Sequence, residues 1–221
     1  MPSSPPADQR RVLVLDVGSS SVRANLFDTL GRSVPPTEAM RGRYRWQTEP
    51  EGAMECDAGL LFDEVVRVLD AAMEQVREEG VEVAAVAIAA FWHSIMGVDG
   101  AGSPATPVYG WGDTRAGSVA LGLRDTVDED SYHRRTGCYL HSSYPFVKLV
   151  WLRQAAPGAF ADSGRWVSFP EHLEDRLLGV RRCSISMGSG SGLIDVGRGI
   201  WDEEAMAIAR IGAGHLSPLV D

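Results

Sequence analysis

Positive charge is scarce in this sequence. Twenty-one Lys and Arg stand against 30 Asp and Glu in 221 residues, a formal net charge of −9, which excludes the broad basic face needed to grip nucleic acid or an anionic membrane. Long apolar runs are missing too. The longest candidate, residues 83–92, falls well short of the ~18 consecutive apolar residues of a membrane-spanning helix. Cysteine is sparse: Cys56, Cys138 and Cys183 are odd in number and widely spaced, which fits neither a disulfide framework nor a zinc site. They read as reduced, buried thiols. The opening Met1-Pro2-Ser3-Ser4-Pro5-Pro6 lacks the apolar core of a secretion signal, so residues 1–10 are expected to form a flexible tail and the protein to be cytoplasmic.

What is present suits a globular chain. With 44% apolar and 23% charged residues, the sequence can bury the core of one domain, or of one domain with a sub-domain. No internal repeat and no linker divides it. Val12-Leu13-Val14-Leu15 has the pattern of a buried strand, Gly18-Ser19-Ser20 makes a turn, and residues 22–27 supply a second strand. Asp28-Thr29-Leu30-Gly31 turns again, and residues 32–44 supply a third strand in which Pro35-Pro36 mark an edge or a bulge. Asp57 reads as the N-cap of a helix in which Leu61, Val65, Val68, Leu69, Ala72 and Val76 recur at helical spacing and which Gly80 ends. Residues 81–90, short, apolar and partly β-branched, are expected to be a central strand covered on both faces. A second hairpin around Asp99-Gly100-Ala101-Gly102, a polar loop through Trp111-Gly112-Asp113 and helices over 115–124, 145–154, 171–178 and 202–211 follow, the last with Asp202 as N-cap and Gly212 as stop. The fold class is α/β, with a β-β-β-α-β opening and a mixed central sheet flanked by helices.

Three places carry candidate chemistry. In Asp16-Val17-Gly18-Ser19-Ser20, glycine permits close approach of a ligand, backbone N–H groups and hydroxyls can donate to phosphate oxygens, and the carboxylate at the strand end can hold Mg²⁺ through water. A plain hairpin turn uses the same residue types. Trp92-His93, at the end of the 81–90 strand, can pair an apolar ring face with a hydrogen-bonding imidazole on a sugar, against the alternative of a satisfied core histidine. In Trp111-Gly112-Asp113-Thr114-Arg115, Trp111 can floor a sugar, Asp113 can accept from hydroxyls, and Arg115 can orient Asp113 or pair with an acidic sugar's carboxylate. The plainer reading is a surface salt bridge of small worth. Lys148 and Trp151 suit the packing face of a helix. Met187-Gly188-Ser189-Gly190-Ser191-Gly192 matches no phosphate-loop spacing and reads as a turn.

Taken together these segments resemble the FGGY family of carbohydrate kinases, within the ribonuclease H-like actin and hexokinase superfamily. The matching stretches are Asp16-Val17-Gly18-Ser19-Ser20-Ser21-Val22-Arg23 with Leu26-Phe27-Asp28 and Gly31, the stretch from Ala89 to Asp99, the W-x-D-x-R of Trp111, Asp113 and Arg115, and Thr136-Gly137 running to Lys148 and Trp151-Leu152. Ser19 stands where threonine is commoner in the family, Phe91 where glutamine is frequent, and Ser142-Ser143 where proline and methionine are usual. His93-Ser94-Ile95-Met96 and His141 lean toward gluconate kinases. The resemblance implies an N-terminal lobe, residues 11–221, that phosphorylates a sugar or sugar-acid hydroxyl with ATP and Mg²⁺. Gluconate is favoured over xylulose, other pentuloses or glycerol. It assigns Asp16, Gly18, Ser19, Ser20 and Arg23 to phosphate and metal, Asp16 through water, and Trp92, His93, Trp111, Asp113, Arg115, His141 and Ser143 to the substrate. It also implies that the base aspartate and most of the nucleotide site belong to a C-terminal kinase lobe absent from this chain, which alone should then not turn over and could form a homodimer. A non-catalytic sugar-sensing module is the alternative. A nucleotide-binding lobe of the actin or heat-shock ATPase type is a more distant one, disfavoured by the sugar residues.

Overall fold

The computed structural model describes residues 9–220, so nearly all of the expected tail lies outside the described residues. The chain divides into two compact units, one of residues 9–45 and 59–91, the other of residues 46–58 and 92–220. The first contains β1 (Arg10–Val17), β2 (Ser21–Phe27), β3 (Ser33–Val34), β4 (Arg41–Arg43), α1 (Ala58–Glu78) and, after the short β5 (Glu55–Cys56) of the other unit, β6 (Glu82–Ala90). Its five-stranded sheet runs β3-β2-β1-β6 with β4 also on β2. The first hairpin is antiparallel, with Val12 opposite Phe27 and Val17 opposite Val22, whereas β6 runs parallel to β1. The sheet is therefore mixed, as expected.

Alternation makes one face of this sheet. Leu13, Leu15 and Val17 on β1 and Val22, Ala24 and Leu26 on β2 are buried, and α1 contributes the buried row Leu61, Val65, Val68, Ala72 and Val76. Each such Val or Leu removed from water is worth about 1.5–3 kcal/mol. The single third strand expected over 32–44 is instead two short ones, β3 and β4, both on β2. Pro35-Pro36 cannot donate to a ladder, and a turn of 3₁₀ helix at Glu38–Met40 fills the gap. Arg67 of α1 fastens that gap by donating to the carbonyls of Ala39 and Arg41. A second expectation fails more instructively. β6 is not a central strand covered on both faces: it ends the strand order, and residues 84–89 are all exposed. An unbroken apolar run reports suitability for burial, and the described residues supply no layer over it.

The second unit carries β7 (Met96–Val98), β8 (Val108–Tyr109), α2 (Gly117–Leu123), α3 (Glu129–Thr136), α4 (Pro145–Ala155), α5 (Pro157–Asp162), β9 (Arg165–Val167), α6 (Phe169–Leu178), β10 (Cys183–Ser184), α7 (Ile185–Ser189), β11 (Ile194–Asp195), β12 (Ile200–Trp201), α8 (Glu203–Ala209) and β13 (Leu219–Val220). Its strands pair two by two, β5 with β8, β7 with β9, β10 with β13 and β11 with β12. The buried core gathers Tyr132 of α3, Phe146, Leu149 and Leu152 of α4, and Ala205 and Ala209 of α8. α3 had no clear apolar period in the sequence. Its caps define it: Asp128 accepts from the Ser131 N–H, and Gly137 ends the helix at φ 70°. α7 occupies part of the run read as a turn, since Ser184 caps it by accepting from the Met187 N–H.

Asp202 is the expected N-cap of α8, which ends at Arg210 in the left-handed region rather than at Gly212. One carboxylate oxygen accepts from the Ala205 N–H at 2.8 Å and the other from Arg135 Nε at 2.8 Å, with the side chain buried. Asp202→Ala removes a cap and a charged partner together, so a loss of about 2–3 kcal/mol is expected in urea unfolding.

Candidate functional site

Two constellations emerge, each within one unit. In the first, β1 and β2 hold the turn of residues 18–20, closed by the Gly18 N–H donating to the Ser21 carbonyl at 2.9 Å. Asp16, at the end of β1, lies opposite Arg23 in the register and pairs with it at 3.7 Å, both side chains remaining largely open to solvent. Tyr44 buttresses the turn by donating its hydroxyl to the Gly18 carbonyl at 2.6 Å. Exposed Ser19 and Ser20 complete it. No cluster of three or more His, Cys, Asp or Glu side chains suited to a metal ion occurs among the described residues. A single exposed carboxylate such as Asp16 can reach an ion through water but cannot enclose one.

The second constellation starts at Trp92-His93. His93 is one of two non-glycine residues at positive φ among the described residues, at 56°, a conformation that costs energy and persists only where the surroundings hold it. They do so here. Its ring stacks on Trp92 at 4.8 Å, meets Tyr144 edge-on at 5.1 Å, and donates from Nδ1 to the Gly190 carbonyl at 2.8 Å. Trp92 donates Nε1 to the Met187 carbonyl at 2.9 Å while 43% of its surface stays exposed. Across Tyr144 lies His141, 6.5 Å from its ring, whose Nδ1 accepts from the Ser143 N–H at 3.2 Å. These bonds set opposite tautomers: neutral His93 keeps Nε2 as an acceptor, and His141 keeps Nε2–H as a donor.

Glycine explains the supporting loop. A Cβ on Gly190 would lie 2.4 Å from the Trp92 indole, and one on Gly192, itself at φ 74°, would lie 2.3 Å from the Tyr132 hydroxyl. The glycine run is therefore not an idle turn but the seat of Trp92. Gly190→Val is expected to push the indole aside, cost about 1–3 kcal/mol and change tryptophan emission, whereas Gly158→Ala, with open space around the new Cβ, should leave the emission unchanged.

Asp113 and Arg115 are joined by Glu55. Asp113 is 1% exposed and accepts from the Met54 N–H at 3.1 Å, from the Arg115 N–H at 3.1 Å, and from Arg115 Nη2 at 2.6 Å. Arg115 Nη2 also reaches Glu55 at 2.6 Å. The guanidinium lies 4.8 Å from the Trp151 ring centroid and 5.6 Å from that of Tyr109. Burial disfavours its charge, but the bonds to Asp113 and Glu55 outweigh burial and hold it above its ordinary pKa. The pair is thus no surface salt bridge. With both oxygens engaged, Asp113 serves first to fix Arg115, whose Nη1 makes no hydrogen bond among the described residues. Trp111 is half exposed, and neighbouring Gly110 and Gly112 leave room for Trp46 and Met54.

Lys148 is the only lysine in the chain and is fully buried on α4. It donates to the Ser142 carbonyl, which anchors the loop bearing His141 and Ser143. Burial pushes its pKa from 10.5 down to about 8, against the attraction of Asp113. Trp151, one turn further along α4, is the face on which Arg115 rests. Helix packing at these two positions is therefore also support of the site. Sequence spacing missed Glu55, Tyr144 and Gly190, which distant segments bring in. A lone lysine among apolar helix positions was the one available signal for Lys148. The cysteines are free and buried, as expected, and burial pushes the Cys56 thiol up to about 12 and Cys138 up to about 11. No helix among the described residues is long and apolar enough to cross a membrane.

The gluconokinase of Bacillus licheniformis is 25% identical over 209 residues, covering 95% of this chain and 40% of the relative. The glycerol kinase of Lactococcus lactis is 24% identical over 212 residues, covering 93% and 42%. Among solved structures, a gluconate kinase from Lactobacillus acidophilus superposes with a TM-score of 0.88 at 23% identity over 96% of this chain and 42% of that one. The chain thus spans about 40% of the length of the relatives it matches, and its mixed α/β fold is the ribonuclease H-like fold of that solved kinase. Residues 11–221 match the family described as "FGGY family of carbohydrate kinases, N-terminal domain", and the chain belongs to that family.

Proposed function

We propose that this chain is the sugar-binding lobe of an ATP-dependent kinase acting on a sugar acid, with gluconate the favoured substrate. The observation that carries the reading is Arg115: a guanidinium fixed on three sides by Asp113, Glu55 and Trp151, with Nη1 left for a ligand. A fixed cationic N–H donor of this kind suits the carboxylate of a sugar acid, through one hydrogen bond from Nη1, better than the neutral end of glycerol. Trp92 and Trp111 offer apolar ring faces to C–H groups, and His93 and His141 offer one acceptor and one donor to hydroxyls.

The hairpin of Asp16, Gly18, Ser19, Ser20 and Arg23 suits phosphate oxygens, and ATP with Mg²⁺ is the group it fits. When bound, that group supplies the phosphoryl and neutralises its charge. The residues of this chain orient and hold. Asp113, buried with both oxygens engaged, is a poor base, and the family resemblance puts the base carboxylate in the C-terminal kinase lobe. We therefore expect no turnover by this chain alone in a coupled assay with gluconate and ATP, and steady turnover above background would overturn that. Arg115→Lys is expected to weaken gluconate binding at least tenfold and glycerol binding little. Equal loss for both would refute the carboxylate role. A sensing module is the second reading, but it gives no reason for Asp16 and its serines.

A further inference from the structure

We infer that Tyr144 is a specificity-determining residue that binds one hydroxyl of the substrate's carbon chain, an inference that rests on the sugar-acid reading above. Tyr144 is the N-cap of α4, at φ −83° and ψ 140°. Ser, Thr, Asp and Asn suit that position because their short side chains accept from the first free N–H groups of a helix. Tyr144 makes no such bond. The helix starts without it, since Pro145 suits the first turn and the Lys148 N–H donates to the Tyr144 carbonyl at 3.2 Å. The phenol hydroxyl makes no hydrogen bond among the described residues, and the side chain is only half-buried. Starting α4 therefore leaves this side chain without a task.

Its surroundings supply one. The Tyr144 ring stands edge-on to His93 at 5.1 Å and to His141 at 6.5 Å. With Trp92 stacked on His93, four rings form one wall within the second unit. Their polar atoms make a complementary set: His93 Nε2 accepts, the Tyr144 hydroxyl donates and accepts, and His141 Nε2–H donates. A polyhydroxy chain matches it, because each of its hydroxyls both donates and accepts. The tyrosine is also held from both sides. Its N–H donates to the His141 carbonyl at 3.2 Å, Lys148 grips the Ser142 carbonyl, and the Phe146 N–H donates to the Ser191 carbonyl at 2.9 Å, next to the Gly190 carbonyl that takes His93. A hydroxyl so placed loses little freedom on binding and discriminates against a substrate that lacks the partner group.

The test is calorimetric titration of the wild-type chain and of Tyr144→Phe with gluconate and with its single-deoxy analogues. Tyr144→Phe keeps the ring, so urea unfolding and tryptophan emission should stay unchanged. Gluconate binding is expected to weaken about three- to tenfold, the worth of one neutral hydrogen bond. One deoxy analogue, the one missing the hydroxyl that meets Tyr144, should bind both proteins alike. Gluconate bound equally by both proteins would overturn the inference while leaving the sugar-acid reading intact, as would an equal loss for every analogue. Lower stability of Tyr144→Phe would overturn it too, since the hydroxyl would then serve the fold. A wild-type chain that binds none of these acids would instead overturn the sugar-acid reading, and the inference with it.

Discussion

Asp113→Asn is expected to destabilise the second unit by about 3 kcal/mol, because breaking a buried ion pair leaves its partner charge only partly compensated, here by Glu55. Arg115 would keep Glu55 at 2.6 Å and its place on Trp151 but lose the carboxylate that fixes its Nε and Nη2. An amide can accept from the Met54 N–H, yet it would turn its own NH₂ toward the guanidinium. Urea unfolding followed by tryptophan emission measures the loss. The double substitution Asp113→Asn with Arg115→Met separates charge from packing. If the cost lies in stranded charge, the double variant recovers much of the stability lost by the single one; if the double variant is worse by the sum of both, the pair contributes by packing alone.

Lys148→Met should give the second large effect, visible in its pH dependence. The Lys148 ammonium is held at a pKa of about 8 in the folded chain against 10.5 ordinarily. Between those values the unfolded chain binds a proton that the folded chain does not, so this group makes stability rise with pH across that window. Below about 8 the buried charge carries its full penalty, about 3 kcal/mol by the size of the shift. Buried thiols act oppositely at alkaline pH, since the folded chain holds the protons of Cys56 and Cys138 longer than the unfolded chain does. The comparison therefore belongs to the difference between the two proteins. The stability of Lys148→Met relative to wild type should fall by about 3 kcal/mol from pH 7 to 10.5. A difference that stays flat with pH would show that the ammonium is not strained by burial.

Much of this was legible in the sequence because local patterns dominate locally. The first hairpin followed from alternation around Gly18, and α1 from its apolar stripe. Asp202 was readable as a cap because capping is chemistry within four residues. β6 was misread for a physical reason: an unbroken apolar strand says what it could tolerate, not what covers it. At the site, Trp92, His93, Trp111, Asp113 and Arg115 could be named from two short motifs. Their states could not. Whether Asp113 is an exposed acceptor or a buried clamp depends on Met54 and Glu55, nearly sixty residues away, and the shape around Trp92 depends on Gly190. The opposite tautomers of His93 and His141 come from the Gly190 carbonyl and the Ser143 N–H, one distant and one local.

Sugar recognition by this lobe is tested most directly by calorimetric titration of the chain with gluconate, beside Trp92→Ala. Wild type should release heat and saturate at one gluconate per chain, and Trp92→Ala, still folded by circular dichroism, should bind at least tenfold more weakly once the indole face is gone. A folded wild-type chain that gives no heat with gluconate, xylulose or glycerol would contradict the reading of Trp92, His93 and Arg115 as a sugar site.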